Sequence, residues 1–303
     1  MTVVVASEHA AGFAGWRETQ QTLVEHALSR WVPSEAPAGL GDAMRYAVLD
    51  GGKRLRPLLV LATCEALGGL SDVALRAACS VELIHAYSLV HDDMPCMDND
   101  VLRRGKPTVH VQFGEAQALL AGDALQALAF ELLVPDDGSV PPAMAARLCR
   151  LLALAAGAGG MAGGQAIDLA SVGHSLDQPA LEAMHRHKTG ALLQASVMMG
   201  LATAQVLPST ESRLAEYGAC LGLAFQVVDD ILDVTADSAT LGKTAGKDAA
   251  ADKPTFVSLM GLAAAQAYAD RVLERAHEAL RHSGVHQPGT LHALADWVGR
   301  RAS

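Results

Sequence analysis

The stretch "HAYSLVHDDMPCMDND", residues 85–100, joins the end of an apolar helix to a crowd of acids. Asp92, Asp93 and Asp98 lie close together in it, with Pro95 between them. Proline removes a backbone hydrogen bond and disfavours helix at the residue before it. We therefore predict that the helix ends or bulges here and that the turn carries Asp98 back towards Asp92. Carboxylates this close repel one another unless a cation offsets their charge, so the stretch predicts a cation site.

A second stretch, "FQVVDDILDV" at residues 225–234, ends another apolar helix in the same way. Its acids Asp229 and Asp233 are four residues apart, so they project from one helix face about one turn apart. Mg²⁺ prefers oxygen ligands, takes one or two carboxylates and completes its octahedron with water and substrate phosphates. Two such helices predict Mg²⁺ ligands on both sides of one cavity.

Composition favours a helical protein around these two motifs. Hydrophobic residues make up 50% of the 303 residues and aromatic residues only 4%, with Ala and Leu abundant, which favours helix packed on helix. No break resembles a flexible linker, so we expect one all-α domain, residues 1–303, of about ten helices or more. The predicted helices are 17–31, 39–49, 55–67, 72–94, 115–133, 142–170, 178–204, 209–235, 254–282 and 288–300.

Charge and cysteine content exclude several classes of protein. Acids outnumber Lys and Arg by 33 to 23, which gives a net charge of -10 and argues against a nucleic-acid partner. The five cysteines show no CxxC spacing, which is typical of a reducing compartment. The first residues lack the features of a signal peptide, and the apolar stretch 151–167 is interrupted by glycines. We expect a cytoplasmic protein without stable membrane insertion.

Basic residues are grouped beside glycines in four short stretches. Arg offers paired donors to a phosphate, and Gly lets backbone amides approach it. Together with the acidic motifs, these groups predict a polyanionic ligand bridged by metal, with room for more than one diphosphate. The stretches are "GGKRLRP" (51–57), "LRRGKP" (102–107), "HRHKTG" (185–190) and "LGKTAGKDAAADKP" (241–254).

One more stretch, "AAGAGGMAGGQAIDLA" at residues 155–170, is rich in glycine within a helical context. Small residues would let helices approach closely there or line a cavity, and the glycines could equally mark a kink between two shorter helices. The sequence leaves both interpretations open.

The motifs taken together resemble the short-chain trans-prenyl diphosphate synthases, specifically the bacterial farnesyl diphosphate synthase (geranyltranstransferase) type. The resemblance covers about residues 40–260 and adds "AGDAL", "GGQAIDL" and "HKTGAL" to the stretches quoted above. It implies an isoprenoid synthase fold around a deep central cavity, with the two Asp-rich motifs facing each other across three Mg²⁺ ions. It also implies a homodimer.

The resemblance assigns roles to individual residues. The Mg²⁺ ligands would be Asp92, Asp93, Asp98, Asp229 and Asp233. The residues that bind isopentenyl diphosphate would be Lys53, Arg56, His85 and Arg104. The residues around the allylic diphosphate would be Arg103, Lys188, Thr189, Gln226, Lys243 and Lys253. The catalytic set would be the acids Asp92, Asp93, Asp98 and Asp229 with Arg103, Lys188, Thr189, Gln226 and Lys243.

The resemblance also implies the chemistry. Metal and cationic side chains neutralise the charge on a departing diphosphate. The double bond of isopentenyl diphosphate attacks the allylic cation that remains, and the released diphosphate accepts the proton, because no side chain stands out as a base. The hydroxyl of Thr189 and the amide of Gln226 would stabilise the cation by their dipoles, in a cavity that excludes water.

Product length should depend on the depth of the cavity. Tyr87 and Ser88 precede Asp92 by five and four residues, so at a rise of about 1.5 Å per residue they lie one to two turns below the metal end. In the resembling family a bulky group at this level, together with the two-residue insertion in the acidic motif, accompanies farnesyl diphosphate. We therefore expect farnesyl diphosphate from dimethylallyl or geranyl diphosphate, with geranyl and geranylgeranyl diphosphate as competing products.

Three alternatives compete with this reading. Glu82-x-x-His85 and Glu182-x-x-His185 have the spacing of di-iron carboxylate bundles. A terpene cyclase also ionises a diphosphate, but it needs no isopentenyl clamp, and a non-catalytic partner subunit would have lost metal acids. The remaining histidines of interest, His91, His110, His185 and His187, are expected to pack or hydrogen-bond. Asp136 and Asp137 are expected to be loop residues; Asp100 has no assigned role, and the terminal Arg300 and Arg301 are candidates for capping the site.

Overall fold

The computed structural model describes residues 2–49, 51–235 and 254–300, with side chains from residue 12 onward. Its contacts divide the chain into two compact units. The first consists of Met1–Leu61 and Leu70–Cys149, and the second of Ala62–Gly69 and Arg150–Ser303. That the whole chain is a single domain stays a prediction.

The first unit holds the acidic motif at residues 92–98. Its elements are α1 (Thr2–Trp31), α2 (Leu40–Val48), the start of α3 (Leu55–Leu67), α4 (Ser71–Asp92), α5 (Val109–Phe113), α6 (Glu115–Glu131) and the start of α7 (Pro142–Ala156). Two short strands, β1 (Leu102–Arg103) and β2 (Lys106–Pro107), form an antiparallel hairpin that pairs Leu102 with Pro107 and Arg103 with Lys106.

Helix α4 is the central element of the first unit. The helix carries apolar residues on nearly every side, and its Ala77, Leu83 and Ile84 are fully buried. A helix that is hydrophobic all round must be covered all round, and α1, α2 and α6 pack against it. This burial fixes the end of α4, where the acids lie.

The second unit is built around α11, which carries the second acidic motif. Its elements are the end of α3, the end of α7, α8 (Met161–Ala170), α9 (Gln178–His185), a π-helical turn (Arg186–Gly190), α10 (Ala191–Leu201), α11 (Pro208–Thr235), α12 (Phe256–Met260), α13 (Leu262–Arg281) and α14 (Gly289–Gly299). Helices α10, α13 and α14 pack against α11. The buried Tyr217 on α11 donates its hydroxyl to the Leu291 carbonyl at 2.8 Å, which ties α11 to α14.

The all-α class is confirmed, and the helix bounds differ from prediction in particular places. Helix α3 has the predicted bounds, whereas predicted helices 142–170, 178–204 and 254–282 are each divided. The first breaks at residues 157–160 in the glycine-rich stretch. The third breaks at Gly261, whose φ of 83° suits glycine. The hairpin and α5 were not predicted, because elements of two to five residues leave no periodic pattern.

Two helical stretches in the described part of the chain are long and apolar enough to cross a membrane, judged by length and composition only: Ser71–Asp92 and Pro142–Ala170. The first is the central helix α4, and 67% of its apolar 18-residue window is buried inside the protein. The second is interrupted between α7 and α8. A buried core helix meets the same criterion, so this observation is weak evidence for a membrane span.

Candidate active site

The acids after α4 lie on a backbone that turns back on itself. The Asp98 N–H donates to the carbonyl of Asp92 at 2.9 Å, and the Asp100 N–H donates to the carbonyl of Asp93 at 3.1 Å. Helix α4 ends at Asp92, three residues before Pro95. The predicted return of Asp98 towards Asp92 is confirmed. The two residues offer carboxylates from one turn, as a shared cation would require.

Asp93 holds the first arginine of the hairpin. Its carboxylate is buried and accepts the Nε–H of Arg103 at 2.8 and 3.0 Å and an Nη2–H at 2.6 Å. Burial by itself would lower the pKa of Arg103, but the hydrogen bonds and the charges of Asp93, Asp92 and Asp98 outweigh it and raise that pKa. Asp100, which had no predicted role, has a carboxylate oxygen 3.9 Å from Arg103 Nη2. The acidic turn therefore holds the charged guanidinium of Arg103 beside its own carboxylates.

The second arginine of the hairpin is held by the glycine-rich loop at residues 51–52. Arg104 donates from Nη1 to the Gly51 carbonyl at 2.7 Å. Gly52 has a φ of 130°, and a Cβ on it would lie 2.9 Å from the same Nη1. Another residue would be strained at this φ, and its Cβ would displace the Arg104 guanidinium. The loop and the hairpin thus bring Arg104 near the residues of "GGKRLRP".

Arg54 follows that loop in sequence, and its side chain is buried and held by acidic partners. It is 4% exposed and donates to Glu25 at 2.7 Å, to Glu82 at 2.6 Å and to the Val48 carbonyl at 2.6 Å. A buried charge with several partners fixes the backbone around it, and removing one partner typically costs about 3–5 kcal/mol. Arg54 therefore anchors the loop.

Arg56 and His85, which are predicted to bind isopentenyl diphosphate, both have a lowered pKa. Burial lowers the pKa of Arg56 to about 10, so its guanidinium remains charged at neutral pH. Its Nε has no hydrogen-bond partner within the described parts of the chain. Burial, with the charges of Arg56 and Arg104, holds the pKa of His85 well below its usual value. A neutral imidazole beside two cations can donate one hydrogen bond to an anion.

A pocket lies at the hairpin of the first unit. Asp93, Arg103 and Arg104 form part of its wall, and Leu89 and Val90 of α4 form part of its apolar side. A wall of this kind can contact both a charged head and a hydrocarbon chain. The geometry suits an amphiphilic anion.

In the second unit, the π turn carries Lys188 and Thr189. Single π turns inside helices are frequent at functional sites. Lys188 Nζ lies 2.5 Å from Asp168 Oδ2 on α8, whose side chain is buried. Gly164 permits this contact, because a Cβ there would overlap the Lys188 backbone. The glycine-rich stretch thus both bends the chain and allows a close approach, so both interpretations left open are correct.

Helix α11 lies against the same turn. Thr189 Oγ1 donates to Gln226 Oε1 at 2.9 Å, so the two predicted dipolar groups are in contact. Asp233 is buried and Asp229 half-buried on α11. A Cβ on Gly222 would lie 2.7 Å from Gly190 Cα, which shows how closely α11 approaches the turn.

Some predicted site residues cannot be placed. Lys243, Lys253 and Arg301 lie outside the described residues. Among the residues that are described, no group of three His, Cys, Asp or Glu side chains could hold a metal ion by itself. Mg²⁺ takes one or two carboxylates and obtains its remaining ligands from water and phosphate. The carboxylates of Asp92, Asp93, Asp98, Asp229 and Asp233 supply only oxygen donors, which suit this ion, and their assignment as its ligands stays a prediction.

The di-iron alternative finds no support in the geometry. Glu82 accepts a hydrogen bond from Arg54, and Glu182 accepts hydrogen bonds from Tyr268 at 2.6 Å and from Arg186 at 3.0 Å. Burial lowers the pKa of His185 to about 4, and its ring packs on Phe256 with centroids 5.5 Å apart. Hydrogen bonds to protein side chains therefore account for both glutamates of the ExxH motifs.

The other histidines behave as predicted. His91 Nε2 is 3.1 Å from the Leu119 carbonyl, His110 Nδ1 is 3.1 Å from Thr108 Oγ1, and His187 Nδ1 is 2.9 Å from the Gly159 carbonyl. Hydrogen bonding rather than metal ligation accounts for all three.

The chain is similar to known proteins of one family. The family profile described as polyprenyl synthetase matches residues 37–286. The chain is 46% identical over 294 residues to heterodimeric geranylgeranyl pyrophosphate synthase large subunit 1 of Arabidopsis thaliana, covering 95% of this chain and 79% of that protein. The crystal structure of an FPP/GFPP synthase from Zymomonas mobilis is similar with a TM-score of 0.84 and 40% identity, covering 96% of this chain and 99% of that one.

A further similar structure contains ligands. It is a geranyltransferase from Helicobacter pylori complexed with magnesium and isoprenyl diphosphate, with a TM-score of 0.83 and 35% identity. The similarity covers 94% of this chain and 97% of that chain. The folds of these relatives confirm the isoprenoid synthase fold expected from the sequence.

Proposed function

Because the chain belongs to the polyprenyl synthetase family, we propose that this prenyltransferase is a short-chain trans-prenyl diphosphate synthase, which joins isopentenyl diphosphate to an allylic diphosphate. The observation that carries the proposal is the pairing of cations with buried acids. Arg103 is held by Asp93 at the end of α4, and Lys188 is held by Asp168 at the π turn. Each pair holds a cation in place before an anionic substrate binds.

The cationic side chains of Arg103 and Lys188 would stabilise the departing diphosphate. Mg²⁺, which supplies Lewis-acid neutralisation of the departing diphosphate when bound, would be held by Asp92, Asp93, Asp98, Asp229 and Asp233. Arg103 and Lys188 add fixed positive charge, and neither has to be reoriented as the charge develops. The Helicobacter pylori relative, which is complexed with magnesium and isoprenyl diphosphate, supports this choice of ion and ligand.

The second substrate would bind to the first unit. Arg104 and Arg56, whose Nε has no hydrogen-bond partner among the described residues, are donors suited to a diphosphate, and neutral His85 can add one hydrogen bond. The backbone around them is held by Arg54, whose own charge is neutralised by Glu25 and Glu82. Arg56 and Arg104 therefore remain as cations for the ligand.

After ionisation, an allylic cation must survive until isopentenyl diphosphate attacks it. Thr189 and Gln226 supply oxygen dipoles that can stabilise the cation without forming a bond to it. The released diphosphate would accept the proton from the new chain. An apolar lining excludes water, which would otherwise capture the cation.

Product length has two candidate answers. The names of the curated relatives support geranylgeranyl diphosphate, since the Arabidopsis thaliana protein is a large subunit of a geranylgeranyl pyrophosphate synthase. Farnesyl diphosphate, the product expected from the sequence, has a specific observation in its favour, which is Tyr87. The experiment that decides is mass spectrometry of the products formed from geranyl diphosphate and excess isopentenyl diphosphate. A farnesyl product that does not decrease with time would contradict the geranylgeranyl assignment.

Replacing Tyr87 by Ala should lengthen the product by at least one isopentenyl unit. Tyr87 is half-buried, and its ring lies edge-on to His91 with centroids 5.7 Å apart. Truncation to Ala removes a large aromatic ring from this position and leaves space behind it. Mass spectrometry of the products measures the change.

Tyr268→Ala is a matched control, because Tyr268 lies on α13 of the second unit and donates its hydroxyl to Glu182 at 2.6 Å. It should leave the product length unchanged. An identical product profile for wild type and Tyr87→Ala would exclude Tyr87 as the floor of the cavity.

Three further expectations remain proposals. We infer a homodimer and a cytoplasmic location from the resemblance and the composition. The number of Mg²⁺ ions is likewise carried over from the family. Measured molecular mass in solution and metal titration in the presence of diphosphate test the first and the last.

A further inference from the structure

A series of hydrogen bonds runs from the π turn through α11 to the start of α12. Thr189 Oγ1 lies 2.9 Å from Gln226 Oε1, and Gln226 Nε2 lies 2.9 Å from Asp230 Oδ1. Asp230 Oδ2 accepts the backbone N–H of Phe256 at 2.8 Å. Thr189 is 9% exposed and Asp230 is 3% exposed, so water competes little for these bonds. We call this series the Thr189–Asp230 relay.

The chemistry of Asp230 determines the direction of every bond in the relay. An ionised carboxylate can only accept hydrogen bonds, so Gln226 must turn its NH₂ group towards it. The carbonyl oxygen of Gln226 then faces Thr189. The Thr189 hydroxyl must therefore donate its proton to Gln226, and only its lone pairs are left for a third group.

Asp230 lies on a different face of α11 from the two acids predicted to bind metal. Asp229 and Asp233 share one face of α11, whereas Asp230 is rotated about 100° away and accepts from Gln226 and Phe256. Phe256 itself is fully buried, and its ring lies between His185 and Tyr268 with centroids 5.5 and 5.6 Å away. This packing holds the Phe256 N–H, and so keeps one oxygen of Asp230 in place.

We propose that Asp230 is a positioning residue that orients the Thr189 hydroxyl, through the amide of Gln226, so that its electron-rich oxygen is available to the allylic cation. The role in catalysis rests on the proposed function. The hydrogen-bond direction does not, since it follows from donors and acceptors alone. The relay fixes the direction in which the Thr189 hydroxyl donates its proton, whether or not substrate is bound.

An Asp230→Asn variant tests the proposal, because it reverses the direction of the hydrogen bonds in the relay while the new side chain keeps nearly the same shape. Phe256 N–H still requires an oxygen acceptor, so the new NH₂ group faces Gln226. Gln226 must then flip and present its own NH₂ to Thr189, whose hydroxyl becomes an acceptor. We expect kcat to fall about 10–100-fold, somewhat less than the loss of a donor that touches the reacting atoms. The KM for isopentenyl diphosphate should change by no more than about threefold.

A double variant, Gln226→Glu with Asp230→Asn, should restore the direction of the relay. The new carboxylate at position 226 accepts from both Thr189 and Asn at position 230, and the net charge of the protein is unchanged. We expect kcat within about tenfold of wild type. The single variant Gln226→Glu should be worse than the double, because two carboxylates would then face each other.

Asp177→Asn is the matched control. Asp177 caps α9 by accepting the Ala180 N–H at 2.9 Å, a role that Asn fills equally well. Its kinetics should equal those of wild type. A wild-type kcat for folded Asp230→Asn, or a double variant no faster than Asp230→Asn, would overturn the proposal.

NMR of the Gln226 side-chain amide gives a second readout that needs no turnover. The amide signal should move when Asp230 becomes Asn, because its hydrogen-bond acceptor changes from a carboxylate to a hydroxyl. An unmoved signal overturns the relay even if the enzyme is active. Absence of condensation by wild type, with the signal moving as expected, would instead contradict the proposed function and leave the relay standing.

Discussion

Replacement of Asp92 by Ala should lower kcat by about 10²–10³-fold, the range found when a group that stabilises developing charge is removed. Asp92 is the residue at which α4 ends, and its carbonyl receives the returning chain at Asp98. Loss of its carboxylate removes a ligand for Mg²⁺ and leaves Arg103 as the nearest fixed positive charge for the departing diphosphate. Steady-state kinetics at saturating substrate and a series of Mg²⁺ concentrations measure the loss.

Asp136→Ala is the appropriate control for Asp92. Asp136 is an exposed loop residue between α6 and α7, and its removal should leave kcat and the Mg²⁺ dependence unchanged. If Asp92→Ala retained the wild-type kcat at every Mg²⁺ concentration, the acidic turn after α4 would have no role in ionisation.

The second large effect is expected from Gly164→Ala, a change of one methyl group. The added Cβ would overlap the backbone nitrogen of Lys188, so the π turn or α8 must move. Overpacking of this kind costs about 1–3 kcal/mol of stability. The shift would also displace Lys188 and Thr189 from their partners, and a misplacement of about 1 Å can reduce turnover about 10²-fold.

Gly159→Ala separates this steric effect from a general loss of glycine flexibility. Gly159 belongs to the same glycine-rich stretch, but a Cβ there meets nothing within 4 Å. Thermal melting and kcat should be near wild type for Gly159→Ala and clearly reduced for Gly164→Ala. Equal behaviour of the two variants would show that the contact between α8 and the π turn is not required.

The sequence was most informative where chemistry is local. The return of Asp98 follows from Pro95 and the neighbouring acids alone, and the shared face of Asp229 and Asp233 follows from helical spacing. The end of α4 was placed only two residues too late.

Roles that depend on packing could not be predicted in this way. Asp168 lies twenty positions from Lys188 in sequence, and only the approach of α8 to the π turn, through Gly164, brings the two together. The motif "GGQAIDL" does indicate that Asp168 has a partner, since a buried acid in an apolar helix needs one. It does not indicate which residue that partner is.

Neighbouring residues of the same type were also indistinguishable in sequence. Arg54 and Arg56 have the same chemistry, yet Arg54 has a φ of 49° and points to Glu25 and Glu82. Asp229 and Asp230 likewise differ only in the helix face that each occupies. Backbone conformation and tertiary contacts, rather than residue type, separate anchoring residues from those offered to a ligand.

Condensation by the wild-type protein tests the central claim most directly. The purified chain is incubated with Mg²⁺, isopentenyl diphosphate and either dimethylallyl or geranyl diphosphate, and both released diphosphate and chain length are followed. The proposed function predicts one diphosphate released for each isopentenyl unit added, and none once Mg²⁺ is chelated. Folded protein that condenses neither starter, or that elongates at the same rate without Mg²⁺, would contradict it.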